Sequence, residues 1–106
     1  MDAQLKKGVL DVCVLAVIRK EETYGYQIIK EIKPILDLSE STLYTILKRL
    51  EEQKMITVRQ TMHEGRVRKY YKITDVGVKR IYEFLKEWEE IKEVYTFIIR
   101  EALWLR

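Results

Sequence analysis

From Asp75 almost to Arg106 the chain runs without a helix breaker, and that uninterrupted stretch limits its fold more than any other feature. At 1.5 Å per residue a helix of roughly 30 residues spans about 45 Å, longer than a small domain covers alone. Gly77, Phe84, Ile91 and Ile98 fall at one position of a seven-residue repeat, and Ile81, Trp88, Tyr95 and Ala102 at another, with spacings of four and three throughout. The same helix of a second chain satisfies such a seam most simply. The pattern therefore predicts a homodimer with Ile81, Phe84, Trp88, Ile91, Tyr95, Ile98 and Ala102 at its interface.

What precedes that helix is short. With 106 residues, 47% of them hydrophobic, the chain builds one compact core and has no room for a second independent one. One proline and four glycines leave few loops, so a mainly α fold is expected. A first helix from about Ala3 to Lys20 is apolar on nearly every side between Val9 and Ile18, which implies cover from its own core and from a partner chain. Thr23 reads as the N-cap of a second helix, Tyr24 to Lys33, with Ile28, Ile29 and Ile32 as its apolar stripe and Pro34 as its stop. Ser39 reads as the cap of a third, Glu40 to Gln53. Its inward face is Leu43, Ile46, Leu47 and Leu50, and its opposite face shows Ser41, Thr42, Thr45, Lys48 and Arg49.

Two helices joined by a tight turn form a helix-turn-helix candidate, in which the second helix enters a DNA groove. Any small helical bundle contains such pairs, so the next segment matters. Met55 to Gln60 and Arg66 to Ile73 are strand-like, joined by a polar tip from Thr61 to Gly65. Alternation puts Arg66, Arg68, Tyr70 and Lys72 on one face. With Arg59 opposite, the hairpin holds Arg59, Arg66, Arg68, Lys69 and Lys72 against a single acid, Glu64, which suits a small β-wing laid along phosphate. Charge by segment agrees. Residues 36 to 74 carry 8 basic and 5 acidic side chains, whereas 1 to 35 carry 6 and 5, and 75 to 106 carry 6 and 7. Thr74 reads as the cap of the long last helix.

The chain thus reads as a winged helix-turn-helix over residues 1 to 74, with helix one also at the dimer interface, followed by a C-terminal dimerisation helix over 75 to 106. A two-fold dimer addresses half-sites about 34 Å apart, so the expected partner is double-stranded DNA with a palindromic operator.

At this point the residues resemble the PadR family of bacterial transcriptional regulators, in its short form with one C-terminal helix. The resemblance rests on Tyr24-Gly25-Tyr26-Gln27-Ile28-Ile29-Lys30, on Ser41-Thr42-Leu43-Tyr44 with Leu47-Lys48-Arg49-Leu50-Glu51, and on the run from Gly65 to Gly77, and it covers essentially the whole chain. It implies a dimeric repressor relieved by a small-molecule effector. By position it makes Ser39, Ser41, Thr42, Tyr44, Thr45 and Lys48 the groove-facing set, with Arg66, Arg68 and Lys69 on phosphate or in the minor groove. Some members stack planar hydrophobic ligands on a tryptophan of the last helix. Trp88 stands at the matching place, with Leu5, Gly8, Val12, Leu15 and Phe84 lining the same space, although Phe84 and Lys92 depart from the drug-binding pattern. Trp104 reads as a dimer or surface contact.

Other function classes find little support. The lone His63 lies at the hairpin tip, no metal-ligand spacing exists and no glycine-rich phosphate loop is present, so neither an enzyme nor a metal or cofactor is expected. Cys13 sits inside the first apolar run and reads as a buried, inert thiol. The N-terminus has no secretory pattern and no stretch reads as a membrane span, which points to a cytoplasmic protein. The competing reading is a winged-helix module whose basic wing contacts protein or RNA without operator-specific DNA binding.

Overall fold

The computed structural model describes residues 1–103. Helix α1 is Ala3–Lys20, β1 is Thr23–Tyr24, α2 is Gly25–Ile32, α3 is Glu40–Glu52, β2 is Ile56–His63, β3 is Arg66–Ile73 and α4 is Asp75–Ala102. Mainly helical, with a small antiparallel sheet in the order β1-β3-β2, this is a winged helix-turn-helix fold with a long C-terminal helix. Trp104, expected at a surface or dimer contact, lies outside the described residues.

Each long helix begins on a side-chain cap. Asp2 accepts from the Leu5 N–H at 2.8 Å, Ser39 from Thr42 at 3.2 Å and Thr74 from Gly77 at 3.2 Å, satisfying amides that have no partner inside the helix. Helix α3 ends in a Schellman arrangement, the Met55 N–H reaching the Leu50 carbonyl and the Lys54 N–H that of Glu51. Lys54 takes the left-handed conformation, φ 61°, that glycine more often fills there.

The core gathers Val14, Leu15 and Ile18 of α1, Ile28 of α2, Leu43 and Leu50 of α3, Ile56 of β2 and Tyr71 of β3. Burial pushes the Cys13 thiol above its ordinary range, so it is a poor nucleophile.

Four expectations need correction. Thr23 does not cap helix two. It is buried in β1, opposite Tyr71, and α2 starts on Tyr24 with no side-chain cap, because backbone pairing with β3 already fixes the chain there. The hairpin tip is two residues rather than five, since Glu64 and Gly65 both have positive φ (50° and 78°), the primed turn that matches strand twist and lets pairing continue to His63↔Arg66. Gly77 is not a seam position; it is buried against the Met55 carbonyl within its own chain. Arg49 does not join the open face of α3, because its guanidinium is paired with the Asp11 carboxylate of α1.

Candidate nucleic-acid interface

Helix α3 presents one face to the core and the other to open space. Leu43, Ile46, Leu47 and Leu50 are buried, while Ser39, Ser41, Thr42, Tyr44, Thr45 and Lys48 are all exposed, as the three-and-four spacing requires. Their polar groups are not equally free. Ser39 Oγ accepts from the Thr42 amide and bonds Thr42 Oγ1 at 2.9 Å, and Thr45 Oγ1 donates to the Ser41 carbonyl at 3.1 Å. Tyr44 lies across the start of α2, and it can do so because residue 25 is glycine: a Cβ there would stand 3.1 Å from the tyrosine oxygen.

The wing extends from the same core. Tyr24, Tyr70 and Arg59 form one cross-strand row, since Tyr24 pairs Tyr70 and Tyr70 pairs Arg59. Tyr24 and Tyr70 meet edge to face with centroids 5.7 Å apart, the Arg59 guanidinium lies 4.8 Å from the Tyr70 ring, and that of Arg68 lies 4.2 Å from the Tyr24 ring. The cationic face expected of the hairpin is therefore partly neutralised by an acid from outside it. Arg59 gives Nε and Nη2 to the two oxygens of Glu22 at 2.8 and 2.7 Å. Those hydrogen bonds hold the Glu22 carboxyl below its usual range. Glu22 lies 37 residues from Arg59 and shares no pattern with it, so sequence spacing carried no signal of the pair.

Between wing and helices runs an open groove of about 730 Å³ lined by Tyr24, Tyr26, Tyr44, Arg66, Arg68 and Lys69. Next to it a recess of about 480 Å³ brings Lys48 towards Lys69. The groove thus joins the exposed aromatic of α3 to three wing cations, while His63 and Glu64 sit at its tip. Such a concave, cationic and aromatic surface can accept a polyanion whose groups stack or donate hydrogen bonds.

Helix α4 holds the second set of predicted residues. Phe84 and Trp88 meet edge to face at 5.9 Å, and Trp88, Ile91, Lys92 and Tyr95 line a shallow recess of about 240 Å³. Of the residues expected to join them from α1, Leu5 is exposed and Gly8 is partly exposed, but Val12 is buried and Leu15 is fully enclosed in the protomer's own core. Those two offer no surface to a ligand, because the α1 face they occupy packs inward. Ile81 also packs on that core, whereas Trp88, Ile91, Tyr95 and Ile98 are 38 to 63% exposed and Ala102 is exposed too. Among the described residues no helix is long and apolar enough to cross a membrane, and no cluster of potential metal ligands is present.

With this geometry the chain is similar to a set of bacterial regulators. The model of the transcriptional regulator PadR-like family matches residues 14–92. A protein of known crystal structure from Streptococcus mutans UA159 is 37% identical, with a TM-score of 0.78 over 94% of this chain and 92% of that one. A PadR-like transcriptional regulator from Bacillus cereus is 31% identical, with a TM-score of 0.78 over 94% of this chain and 100% of that one. The negative transcriptional regulator PadR of Bacillus subtilis is 31% identical over 90 residues, 80% of this chain and 50% of that protein. The crystal structure of Bacillus subtilis PadR in complex with operator DNA aligns with a TM-score of 0.68 and 30% identity, over 73% of this chain and 46% of that one.

Proposed function

Since this chain belongs to the PadR-like family of transcriptional regulators, non-enzymatic proteins that act on DNA, we propose that it is a dimeric repressor that reads a palindromic operator and is released by a small-molecule effector. The observation that carries the reading is the single groove in which Tyr44 of α3 meets Arg66, Arg68 and Lys69 of the wing. Ser41, Thr42, Tyr44, Thr45 and Lys48 face base edges in the major groove, Ser39 holds the helix start near phosphate, and the wing cations meet the backbone.

Dimerisation is supported by α4. Beyond its first turns Trp88, Ile91, Tyr95 and Ile98 stay 38 to 63% exposed among the described residues, and a contiguous apolar stripe of that length marks an interface. Residues 1 to 74 then form the reading unit and Asp75–Ala102 the dimerisation helix. Phe84 and Trp88, side by side near the two-fold seam, form the stacking surface for a planar hydrophobic effector. The protein works where its DNA is, in the cytoplasm.

Fluorescence anisotropy tests this reading, with the duplex upstream of the protein's own gene against a scrambled duplex across a salt series. A specific regulator favours its site by at least about 10³. Equal, steeply salt-sensitive binding to that duplex, to the scrambled control and to duplexes selected from a random pool would reject operator recognition and favour a wing that serves protein or RNA.

A further inference from the structure

The outer face of the sheet carries two arginines in different states. The fork of Arg59 is filled by both oxygens of Glu22. Arg68 faces no carboxylate within hydrogen-bond reach among the described residues; its guanidinium is stacked on the Tyr24 ring, and Nη1 lies 3.4 Å from the Tyr70 hydroxyl. These contacts form one continuous series. Glu22 fixes Arg59, Arg59 covers Tyr70, Tyr70 meets the edge or face of Tyr24, and Tyr24 carries Arg68.

Stacking engages the flat face of a guanidinium and leaves its in-plane N–H groups available. The half-buried Arg68 also lines the groove beside Arg66 and Tyr44. A solvated arginine loses rotamer freedom when it settles on a phosphate or base edge, and that loss weakens binding. An arginine already stacked has lost it during folding. Arg66 at the exposed hairpin end has no such platform among the described residues.

We propose that Tyr24 and Tyr70 are positioning residues that hold Arg68 as a pre-set DNA contact, while Glu22 and Arg59 brace the stack and do not meet DNA. The inference rests on the reading of the groove as a DNA interface and adds an order among its cations. Arg68 is ready before the encounter, Arg66 and Lys69 adapt during it, and Arg59 stays out.

Two experiments together test it. In the DNA-free protein, ¹⁵N relaxation of the arginine Nε–Hε groups should give Arg68 an order close to that of the paired Arg59, and Tyr24→Leu should bring it down to that of Arg66. Tyr24→Phe, which keeps the ring and the strand, should leave it unchanged. Anisotropy then uses a duplex selected by the wild-type protein from a random pool. Tyr24→Leu should weaken binding by about 5- to 20-fold for two sites per dimer, with the salt dependence unchanged, whereas Arg68→Ala should lower the slope of log affinity against log salt by about two. In the Arg68→Ala background Tyr24→Leu should cost nothing further, a result that general loosening of the wing would not give.

An Arg68 group as mobile in the wild type as in Tyr24→Leu would overturn the proposal, as would equal losses from Tyr24→Leu in both backgrounds. If selection enriches no duplex, the DNA reading itself fails, while the relaxation measurement still reports on the stack. Should Tyr24→Leu not fold, Tyr70→Phe removes only the hydroxyl contact and must still raise Arg68 mobility.

Discussion

Gly77, in the first turn of α4, lies against the Met55 carbonyl so closely that a Cβ would stand 2.3 Å from the oxygen. The same carbonyl accepts from the Thr74 amide at 3.0 Å, and the Thr74 hydroxyl donates to the Lys54 carbonyl at 2.7 Å. The start of the last helix is thereby tied to the turn that leaves α3. Alanine at position 77 gains helix propensity of about 1 kcal/mol, but here its methyl group would meet backbone that has nowhere to move. Gly77→Ala is expected to destabilise the protein by about 1–3 kcal/mol in urea unfolding at fixed protein concentration. An unchanged or higher midpoint would mean that the contact relaxes freely.

The Glu22–Arg59 pair makes stability depend on acid. The Glu22 carboxyl titrates lower in the folded than in the unfolded chain, chiefly because Arg59 donates to it. Its contribution is therefore complete above the unfolded value, about 4.3, and is lost as pH falls through the depressed folded one. The gap in Tm between wild type and Glu22→Gln should be constant from about pH 6 to 8 and should close below about pH 4. A gap that persists undiminished at about pH 3 would remove the charge pair as its cause.

Two exposed residues of α3 should separate cleanly. Ser39 caps the helix, so Ser39→Ala is expected to cost about 1 kcal/mol of stability. Lys48 makes no side-chain hydrogen bond among the described residues, so Lys48→Ala should stay within about 0.5 kcal/mol of wild type. With Lys48 facing base edges, Lys48→Ala should also lower the preference for the selected duplex over a scrambled one by about 5-fold or more. An unchanged preference would place that lysine off the base edges.

The seam of α4 is tested by charge. Ile91→Asp combined with Ile98→Asp puts two carboxylates on the exposed stripe while leaving the core of the reading unit untouched. Light scattering should report a mass near two chains for wild type and near one for the variant, with circular dichroism still helical. A dimeric variant would locate the interface elsewhere, and a monomeric wild type would end the dimer reading.

Much of this architecture was legible because it repeats or is capped. Ser39 and Thr74 announce their helices as hydroxyls before apolar periodic runs, and the spacing of Leu43, Ile46, Leu47 and Leu50 assigned the buried face of α3. What stayed hidden depends on partners distant in the chain. β1 has two residues, too few for any alternation, and exists only because Thr23 and Tyr24 meet Tyr71 and Tyr70. Gly77 matched the heptad by spacing, yet its lack of a side chain serves the Met55 contact. Strand composition offered five cations, Arg59, Arg66, Arg68, Lys69 and Lys72, and the family resemblance narrowed them to Arg66, Arg68 and Lys69, which line the groove. The Tyr24–Tyr70 pair beside Arg68 carried no such signal, because a platform for an arginine is defined by ring placement across two strands.

Helix α4 is held by its own chain through its first turns, where Gly77 is buried and Val78, Ile81 and Phe84 are half-buried, and from Leu85 to Ala102 every residue is exposed. Mechanically that outer part is a cantilever clamped at one end, about 27 Å long. A tilt of about 5° at the clamp shifts the far end by about 2.4 Å over that length, close to the length of an ordinary hydrogen bond, about 2.9 Å. In the dimer proposed above, two such beams join along their free lengths, and a wedge the thickness of one aromatic ring near Trp88, close to the clamp, would change the pitch between the two reading heads.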